Sequence, residues 1–159
     1  LLREVPPGSI VLVDDFLDFT YGREHTFFEG GEAGVRHTDM TDCYAKDWQR
    51  QIKAAAERAG VPIVEDGVYV CVQGPRFESR AEIRAFARLG GTISGMTGVP
   101  EVTLANELGL QYGSLAMVTN FACGLAEKVT HEEVTELMSA NAERLAKILL
   151  QLVYAYQEC

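Results

Sequence analysis

The sequence lacks any apolar run of the roughly 18 residues that a membrane-spanning helix needs, and it shows no pattern typical of a signal peptide. It is also poor in basic residues, since 14 Lys and Arg stand against 23 Asp and Glu and give a formal net charge of -9. Nucleic acids and anionic membranes bind through basic surfaces, so neither is expected as a partner. A small anionic substrate is compatible with this charge, because a few local donors are enough to bind it.

Cysteine is scarce as well. Cys43, Cys71, Cys123 and Cys159 show no CxxC spacing and have no pair of histidines nearby. A zinc site or other metal site is therefore not expected, and the simplest interpretation is reduced cysteines in a cytoplasmic protein. The chain opens on Leu1 and not on a methionine, so we expect it to be part of something longer.

Alternation of β-type runs with helical patterns fills the 159 residues, of which 47% are hydrophobic. This pattern predicts a single α/β domain over residues 1–159. Only residues 16–34 lack a clear period and are interpreted as a long loop, in which 22–28 either binds a ligand or is pinned by Phe27 and Phe28. Strands are predicted at 9–13, 68–72, 91–93 and 112–119, and helices at 44–59, 79–89, 102–108 and 130–156.

Capping signals mark the ends of these helices. Asp42 suits the N-cap of the first helix, and Gly60 lies just past its end. The segments 79–82 and 130–133 both read as capping boxes, and Pro100 suits a first helical position. The positions expected to face inward are Trp48, Ile52, Ala55 and Ala56 in the first helix, and Leu137, Leu145, Ile148, Leu149 and Leu152 in the last.

Three polar turns each follow a predicted strand: the first turn (74–79), the second turn (95–101) and the third turn (120–124). Ligands of α/β sheets bind beyond the carboxyl ends of strands, so we expect a site there. Each turn also has an ordinary interpretation, because glycine-containing βα loops are common, a lone phenylalanine is often core and a lone glutamate is often solvated.

The side chains of these turns have complementary chemistry. Phe77 can stack on a flat ring, and Glu78 can accept hydrogen bonds from ring N–H groups. Asn120 can both donate and accept. Gly95 allows close approach of a ligand to the backbone, and the following residue pair, Met96-Thr97, offers an apolar surface and a hydroxyl.

Three motifs resemble, in order and spacing, those of the trimeric purine nucleoside phosphorylase and methylthioadenosine phosphorylase family. They are GPRFESRAE at 74–82, GMTGVPE at 95–101 and VTN at 118–120. Residues 22–28 resemble that family's middle loop. The resemblance implies a mixed-sheet nucleoside phosphorylase-like α/β fold with helices on both faces, and it corresponds to the C-terminal three-fifths or so of a typical member. The N-terminal part, with its Gly-rich phosphate loop and Arg-His phosphate contact, is missing here.

The activity implied by the resemblance is phosphorolysis of a purine nucleoside by a homotrimer, with inorganic phosphate as co-substrate and no metal or organic cofactor. The implied catalytic residues are Glu78 and Asn120. By similarity, the base is bound by Phe77, Glu78, Asn120 and Ala122; the ribose by Gly95, Met96 and His131; the phosphate by Thr97; and His37 is lent by a neighbouring subunit. Both histidines also have an ordinary interpretation as surface residues.

Asn120 favours a 6-oxopurine such as that of inosine, guanosine or 5′-methylthioinosine, because an amide can donate to a 6-oxo group. The GPRF motif resembles the methylthioadenosine branch, so a 5′-methylthioadenosine phosphorylase is the alternative enzyme. A truncated, non-catalytic nucleoside-binding member is the other alternative. We expect the 159-residue chain alone to be a poor phosphorylase, because the hydroxyl of Thr97 cannot replace an arginine and a cradle of backbone N–H groups.

Overall fold

A four-stranded mixed sheet organises the fold in the computed structural model, which describes Leu1, residues 4–125 and residues 131–157, with no side chains at 131–137, 140, 156 and 157. The strands lie in the order β3-β2-β1-β4; β1, β2 and β3 are parallel, and β4 is antiparallel to β1. The strands are β1 (Ile10–Phe19), β2 (Val64–Val72), β3 (Ile93–Gly95) and β4 (Ser114–Met117), and the helices are α1 (Lys46–Ala59), α2 (Arg80–Arg88), α3 (Gly98–Glu107) and α4 (His131–Gln157). The predicted α/β class and mixed sheet are confirmed.

Helices pack on both faces of the sheet, and the end of β2 is therefore buried on both sides. Val70 and Val72 pack with Ile83 and Phe86 of α2. The alternate residue Cys71 packs on the opposite face, in the cluster that contains Val99 and Val102 of α3. Helices α1 and α4 pack against each other around the start of β1, where Ala55, Ala56, Ile148 and Ile10 are buried. Among the described helices, none is long and apolar enough to cross a membrane.

The predicted helix ends are mostly confirmed. Ser79 accepts a hydrogen bond from the N–H of Glu82, whose carboxylate accepts one from the N–H of Ser79, so the first capping box is present. Gly60 ends α1 in the left-handed conformation. The regular part of α3 begins at Pro100, because Val99 is extended with φ -119° and ψ 130°. The second capping box begins at residue 130, outside the described residues.

The predicted cap at Asp42 is wrong. Helix α1 begins at Lys46 with Ala45 as its N-cap, and no side chain caps it. The Asp42 carboxylate lies 3.8 Å from Lys46 Nζ, and the Asp42 side chain is 65% exposed. Asp42 therefore contributes a surface charge pair and not a cap.

Strand lengths were predicted less well than strand positions. The first strand continues to Phe19, because Phe16 to Phe19 pair with Tyr69 to Val72 of β2. Residues 16–19 are therefore strand and not loop: pairing across a parallel ladder outweighs the low strand propensity of Asp15 and Asp18. The last strand is shorter than 112–119, and β3 begins at Ile93. The side chain of Leu149 is 54% exposed, so its predicted inward position is wrong.

The loop between β1 and α1 (residues 20–45) is held in place by Glu107 of α3, a residue far from it in the sequence. Glu107, only 6% exposed, accepts hydrogen bonds from Thr26 Oγ1 at 2.5 Å and from the N–H of Phe27 at 2.6 Å. Arg36 donates to the carbonyl of Glu107 at 3.0 Å and lies 4.3 Å from the ring centre of Phe28. Phe27 itself is 53% exposed, so the loop is held by polar contacts to α3 and not by both aromatics.

Replacing Glu107 with alanine is expected to lower the free energy of unfolding by about 3 kcal/mol, because two hydrogen bonds to a buried carboxylate are lost and their donors are left without a partner. Glu107→Gln should cost less, since one amide oxygen can still accept from Phe27 and the hydroxyl of Thr26 can reverse its role. Urea unfolding checks the order, with Glu57→Ala on the exposed side of α1 as control. Equal stability of Glu107→Ala and the control would contradict this account of the loop.

Candidate functional site

A cleft of about 1190 Å³ extends from β3 to β4. It is bordered by all three polar turns. The predicted site residues that line it are Phe77, Glu78, Gly95, Met96, Thr97, Asn120 and Ala122. His37 is exposed on the loop at 20–45 and does not line this cleft, while the side chain of His131 lies outside the described residues.

The first turn is held by an ion pair that the sequence analysis did not assign. Arg76 donates to both carboxylate oxygens of Glu82, at 2.9 and 2.7 Å, and to the carbonyl of Phe77 at 3.1 Å. Glu82 also accepts from the N–H of Ser79 at 2.7 Å. The ion pair therefore connects the start of α2 to the backbone on both sides of Glu78.

Phe77 and Glu78 do not follow their ordinary interpretations. Phe77 is 70% exposed, so its ring is free to contact a ligand and is not part of the core. Glu78 is only 9% exposed, so it is not a solvated acid, and among the described residues no group donates a hydrogen bond to its carboxylate. A buried acceptor beside an open aromatic ring suits a flat ligand with N–H donors.

Low pH should destabilise the first turn, because protonation of Glu82 weakens its hydrogen bonds with Arg76 and Ser79. The hydrogen bonds from Arg76, and then that from the N–H of Ser79, lower the pKa of Glu82 from 4.5 to about 2. A lowered pKa means that the stabilisation is complete above pH 4.5 and is lost as the pH falls through about 2. Unfolding measured across this window should therefore depend less on pH in Glu82→Gln and Arg76→Met than in the wild type. Identical pH slopes in all three proteins would contradict the assignment.

Tyr69 shapes the second turn, and the sequence analysis missed it. A Cβ at Gly95 would lie 2.0 Å from the Tyr69 hydroxyl oxygen, and a Cβ at Gly98 would lie 3.0 Å from the near edge of the same ring. The phenol is therefore seated between two glycines, and its hydroxyl accepts from the N–H of Thr97 at 3.4 Å. Gly95 was expected to let a ligand approach the backbone, but the group that lies against it is the phenol of Tyr69, which the pairing of β2 with β3 places there.

The first and second turns touch directly. Gly74 has φ +66°, and a Cβ there would lie 2.5 Å from the sulfur of Met96. Met96 and Ala122 of the third turn both pack against the cluster that contains Val70. The first and second turns thus meet through the side chain of Met96, and the third turn packs against the same cluster.

The third turn reaches the cleft by a route that the sequence analysis did not expect. Strand β4 is antiparallel to β1, and Met117 pairs with Ile10 at the start of β1. The turn therefore does not lie beyond the same sheet edge as the other two, and the argument from parallel strand ends is wrong for it. It contacts instead the start of α2, directly after the first turn, through Gly124, where a Cβ would lie 2.8 Å from Arg80 Cγ.

Asn120 is held in one orientation by its neighbours in sequence. Its side-chain oxygen accepts from the hydroxyl of Thr119 at 2.8 Å, and its nitrogen donates to the carbonyl of Phe121 at 3.0 Å. One N–H and one oxygen lone pair remain available. Asn120 can thus offer either a donor or an acceptor to a ligand in the cleft.

Few charges face the cleft. Among the described lining residues, Arg80 is the one basic side chain, and the acids are Glu78 and Glu101. Glu101 accepts from the hydroxyl of Tyr112 at 2.9 Å; burial and then this hydrogen bond raise the pKa of Tyr112. In the part of the chain that the structure describes, no group of three or more His, Cys, Asp or Glu side chains is placed to hold a metal ion.

Sequence comparison assigns the chain to a family, because residues 1–154 match the pattern described as the phosphorylase superfamily. The chain belongs to this superfamily. A probable 6-oxopurine nucleoside phosphorylase of Moorella thermoacetica is 50% identical over 151 residues, which are 94% of this chain and 58% of the relative. A probable S-methyl-5′-thioinosine phosphorylase of Methanosarcina acetivorans is 44% identical over 149 residues, 93% of this chain and 56% of the relative.

The fold of the superfamily is also found in solved structures. The methylthioadenosine phosphorylase of Schistosoma mansoni, solved with adenine, superposes with a TM-score of 0.89 at 30% identity. The match covers 98% of this chain and 62% of that one. The nucleoside phosphorylase-like fold is therefore confirmed, and the chain spans less than two thirds of the proteins it matches.

Proposed function

We propose that the protein to which this chain belongs catalyses phosphorolysis of a 6-oxopurine nucleoside, such as inosine, guanosine or 5′-methylthioinosine. The products are the free purine and ribose 1-phosphate or its 5-methylthio form. The observation that carries the proposal is that Phe77, Glu78 and Asn120 line one cleft although they come from two separate turns. Relatives named as 6-oxopurine nucleoside phosphorylases support the same activity.

The proposed recognition follows from the polar groups of the cleft. A 6-oxopurine presents an N1–H donor and an O6 acceptor. The buried carboxylate of Glu78 is an acceptor without a donor among the described residues, and it suits N1–H. The free N–H of Asn120 suits O6 or N7, and the exposed ring of Phe77 suits the flat purine surface.

The proposed chemistry needs no metal or organic cofactor. An oxygen of inorganic phosphate forms a bond to the anomeric carbon as the bond from that carbon to the purine nitrogen breaks, and the bonding electrons move onto the purine. A hydrogen bond from Asn120 stabilises the charge that develops on the base, and Thr97 offers its hydroxyl to the phosphate. Gly95 and Met96 border the ribose, and Ala122 borders the base.

Release of base from inosine, 5′-methylthioinosine and 5′-methylthioadenosine, with phosphate and the full-length protein, tests the proposal. Preference for the two 6-oxo substrates is expected. Preference for methylthioadenosine would favour the amino-purine alternative. Purine binding without turnover of any substrate would favour a non-catalytic member, and equal turnover by the 159-residue chain would reveal a phosphate site within it.

We also infer a cytoplasmic homotrimer in which His37 approaches the 5′ end of a substrate held by another subunit. This inference is supported by the exposure of His37 and by its absence from the cleft lining of its own chain. Light scattering of the full-length protein and the KM of His37→Ala for inosine test it. A monomer with an unchanged KM would exclude the inference.

A further inference from the structure

The guanidinium of Arg23 bridges the two turns that border the cleft on the β2 and β3 side. Its Nη1 donates to the carbonyl of Val99 in the second turn at 2.5 Å. Its Nη2 lies within hydrogen-bonding distance of the carbonyls of Val72, at 3.4 Å, and Gln73, at 3.3 Å, immediately before the first turn. One planar group therefore contacts the backbone at the base of both turns.

Other contacts show that this bridge is part of a docked segment. The N–H of Tyr21 donates to the side-chain oxygen of Gln73 at 3.1 Å, two residues before Arg23. Next to the bridge, Met96 of the second turn fills the space beside Gly74, the first residue of the first turn. The two turns are thus in contact through Met96 and are cross-linked beside this contact by a residue from the loop at 20–45.

The chemistry of arginine suits this position. The carbonyls of Val72 and Gln73 lie where β2 ends, and a buried backbone carbonyl without a partner in the sheet needs a donor. The carbonyl of Val99, directly before the regular part of α3, accepts from the same guanidinium. A guanidinium has five N–H groups in a rigid plane, so it can serve acceptors on different segments at once, whereas a lysine ammonium is a point donor on a flexible stem. Arg23 does not line the cleft, so it touches no ligand there.

We propose that Arg23 is a positioning residue that fixes the separation between the pair Phe77-Glu78 on the first turn and the pair Met96-Thr97 on the second. In the proposed function, which this inference deepens, the first pair holds the purine and the second meets the ribose and phosphate. Arg23 then sets the distance between the base and the attacked carbon. Without it, each turn keeps its local contacts and Met96 still packs beside Gly74, but the polar cross-link that fixes the separation of the two turns is lost.

Hydrogen–deuterium exchange tests the bridge without relying on activity. Arg23→Ala should speed exchange in peptides covering 73–79 and in those covering 94–99, by about tenfold or more for the loss of charge-assisted hydrogen bonds. Arg23→Lys should give an intermediate result and serves as the milder variant if alanine prevents folding. Arg50→Ala, which removes an exposed arginine of α1 paired with Asp47, is the matched control and should leave both peptides unchanged. Faster exchange in only one turn, or in neither, would overturn the proposal.

Binding of hypoxanthine and turnover of inosine by the full-length protein then test the consequence. Arg23→Ala should lose more in kcat than in base affinity, because separation of the two pairs matters most when base and phosphate are held together. Millimolar guanidinium chloride, but not sodium chloride, should restore part of kcat. Unchanged kcat, or no selective rescue, would refute the positioning role. If the wild type neither binds hypoxanthine nor releases base, the proposed function fails, and the exchange result alone decides whether Arg23 joins the turns.

Discussion

Replacing Gly95 with alanine is expected to destabilise the protein by about 1–3 kcal/mol and to abolish binding of a purine in the cleft, since overpacking a filled site forces backbone or side-chain shifts. The new Cβ would lie 2.0 Å from the hydroxyl oxygen of Tyr69 and 2.6 Å from its ring carbon Cζ. The ring cannot swing away freely, because its other edge faces Gly98. The second turn must move instead, and it carries Met96 and Thr97 with it.

Urea unfolding and calorimetric binding of hypoxanthine measure the two parts of this effect. Gly109→Ala is an informative control: it places a Cβ in open space but at φ +71°, so it should cost about 1 kcal/mol of backbone strain and leave binding unchanged. Adding Tyr69→Leu to Gly95→Ala removes the clash and should recover stability. A double variant no more stable than Gly95→Ala would show that the phenol is not the obstacle.

Local signals in the sequence predicted local structure well. The capping box at Ser79, the left-handed Gly60 and the helical start at Pro100 each depend on a few neighbouring residues, and each is present. Asp42 has the right type for a cap, but the helix begins too far from it, at Lys46. Residue type therefore indicates possible N-cap positions, but the packing of the helix determines where the helix begins.

Long-range contacts are the part that the sequence did not reveal. The turn residues Phe77, Met96 and Asn120 were placed on the right turns, and all line one cleft. Tyr69 lies inside a β-branched run and reads as a core residue until the pairing of β2 with β3 brings it under Gly95. Arg23 makes contacts about 50 and 76 residues away, which no local pattern contains.

The antiparallel direction of β4 was also not predicted from the local sequence pattern. Strand-helix alternation predicts parallel strands, and three of the four are parallel. No helix lies between α3 and β4, however, and β4 returns antiparallel to the edge of β1. Asn120 therefore lines the cleft from the segment that follows an antiparallel strand, and not from the end of a parallel strand.

Replacing Asn120 with aspartate is expected to shift preference from 6-oxopurines towards 6-aminopurines by about 10- to 100-fold, the equivalent of about 1–3 kcal/mol for a hydrogen bond gained or lost at a desolvated ligand group. The physical reason is that a carboxylate only accepts, so it repels O6 and attracts a 6-amino group. Locally, the bond from Asn120 Nδ2 to the carbonyl of Phe121 is replaced by a contact between two oxygens. The carboxylate should therefore turn towards the cleft and keep the hydroxyl of Thr119 as its donor.

The measurement is the ratio of hypoxanthine to adenine affinity, together with the ratio of kcat/KM for inosine and adenosine in the full-length protein. Thr119→Val is the matched control, because it removes the donor that orients Asn120 while leaving the amide in place. It should weaken 6-oxopurine binding without the preference for 6-aminopurines expected of Asn120→Asp, since the freed amide is neutral and keeps both its N–H donors and its oxygen. A ratio that stays the same in Asn120→Asp would mean that this side chain does not contact position 6 of the base. Selection between the two purine classes would then have to come from Glu78, whose carboxylate we propose as the acceptor for the N1–H that only 6-oxopurines carry.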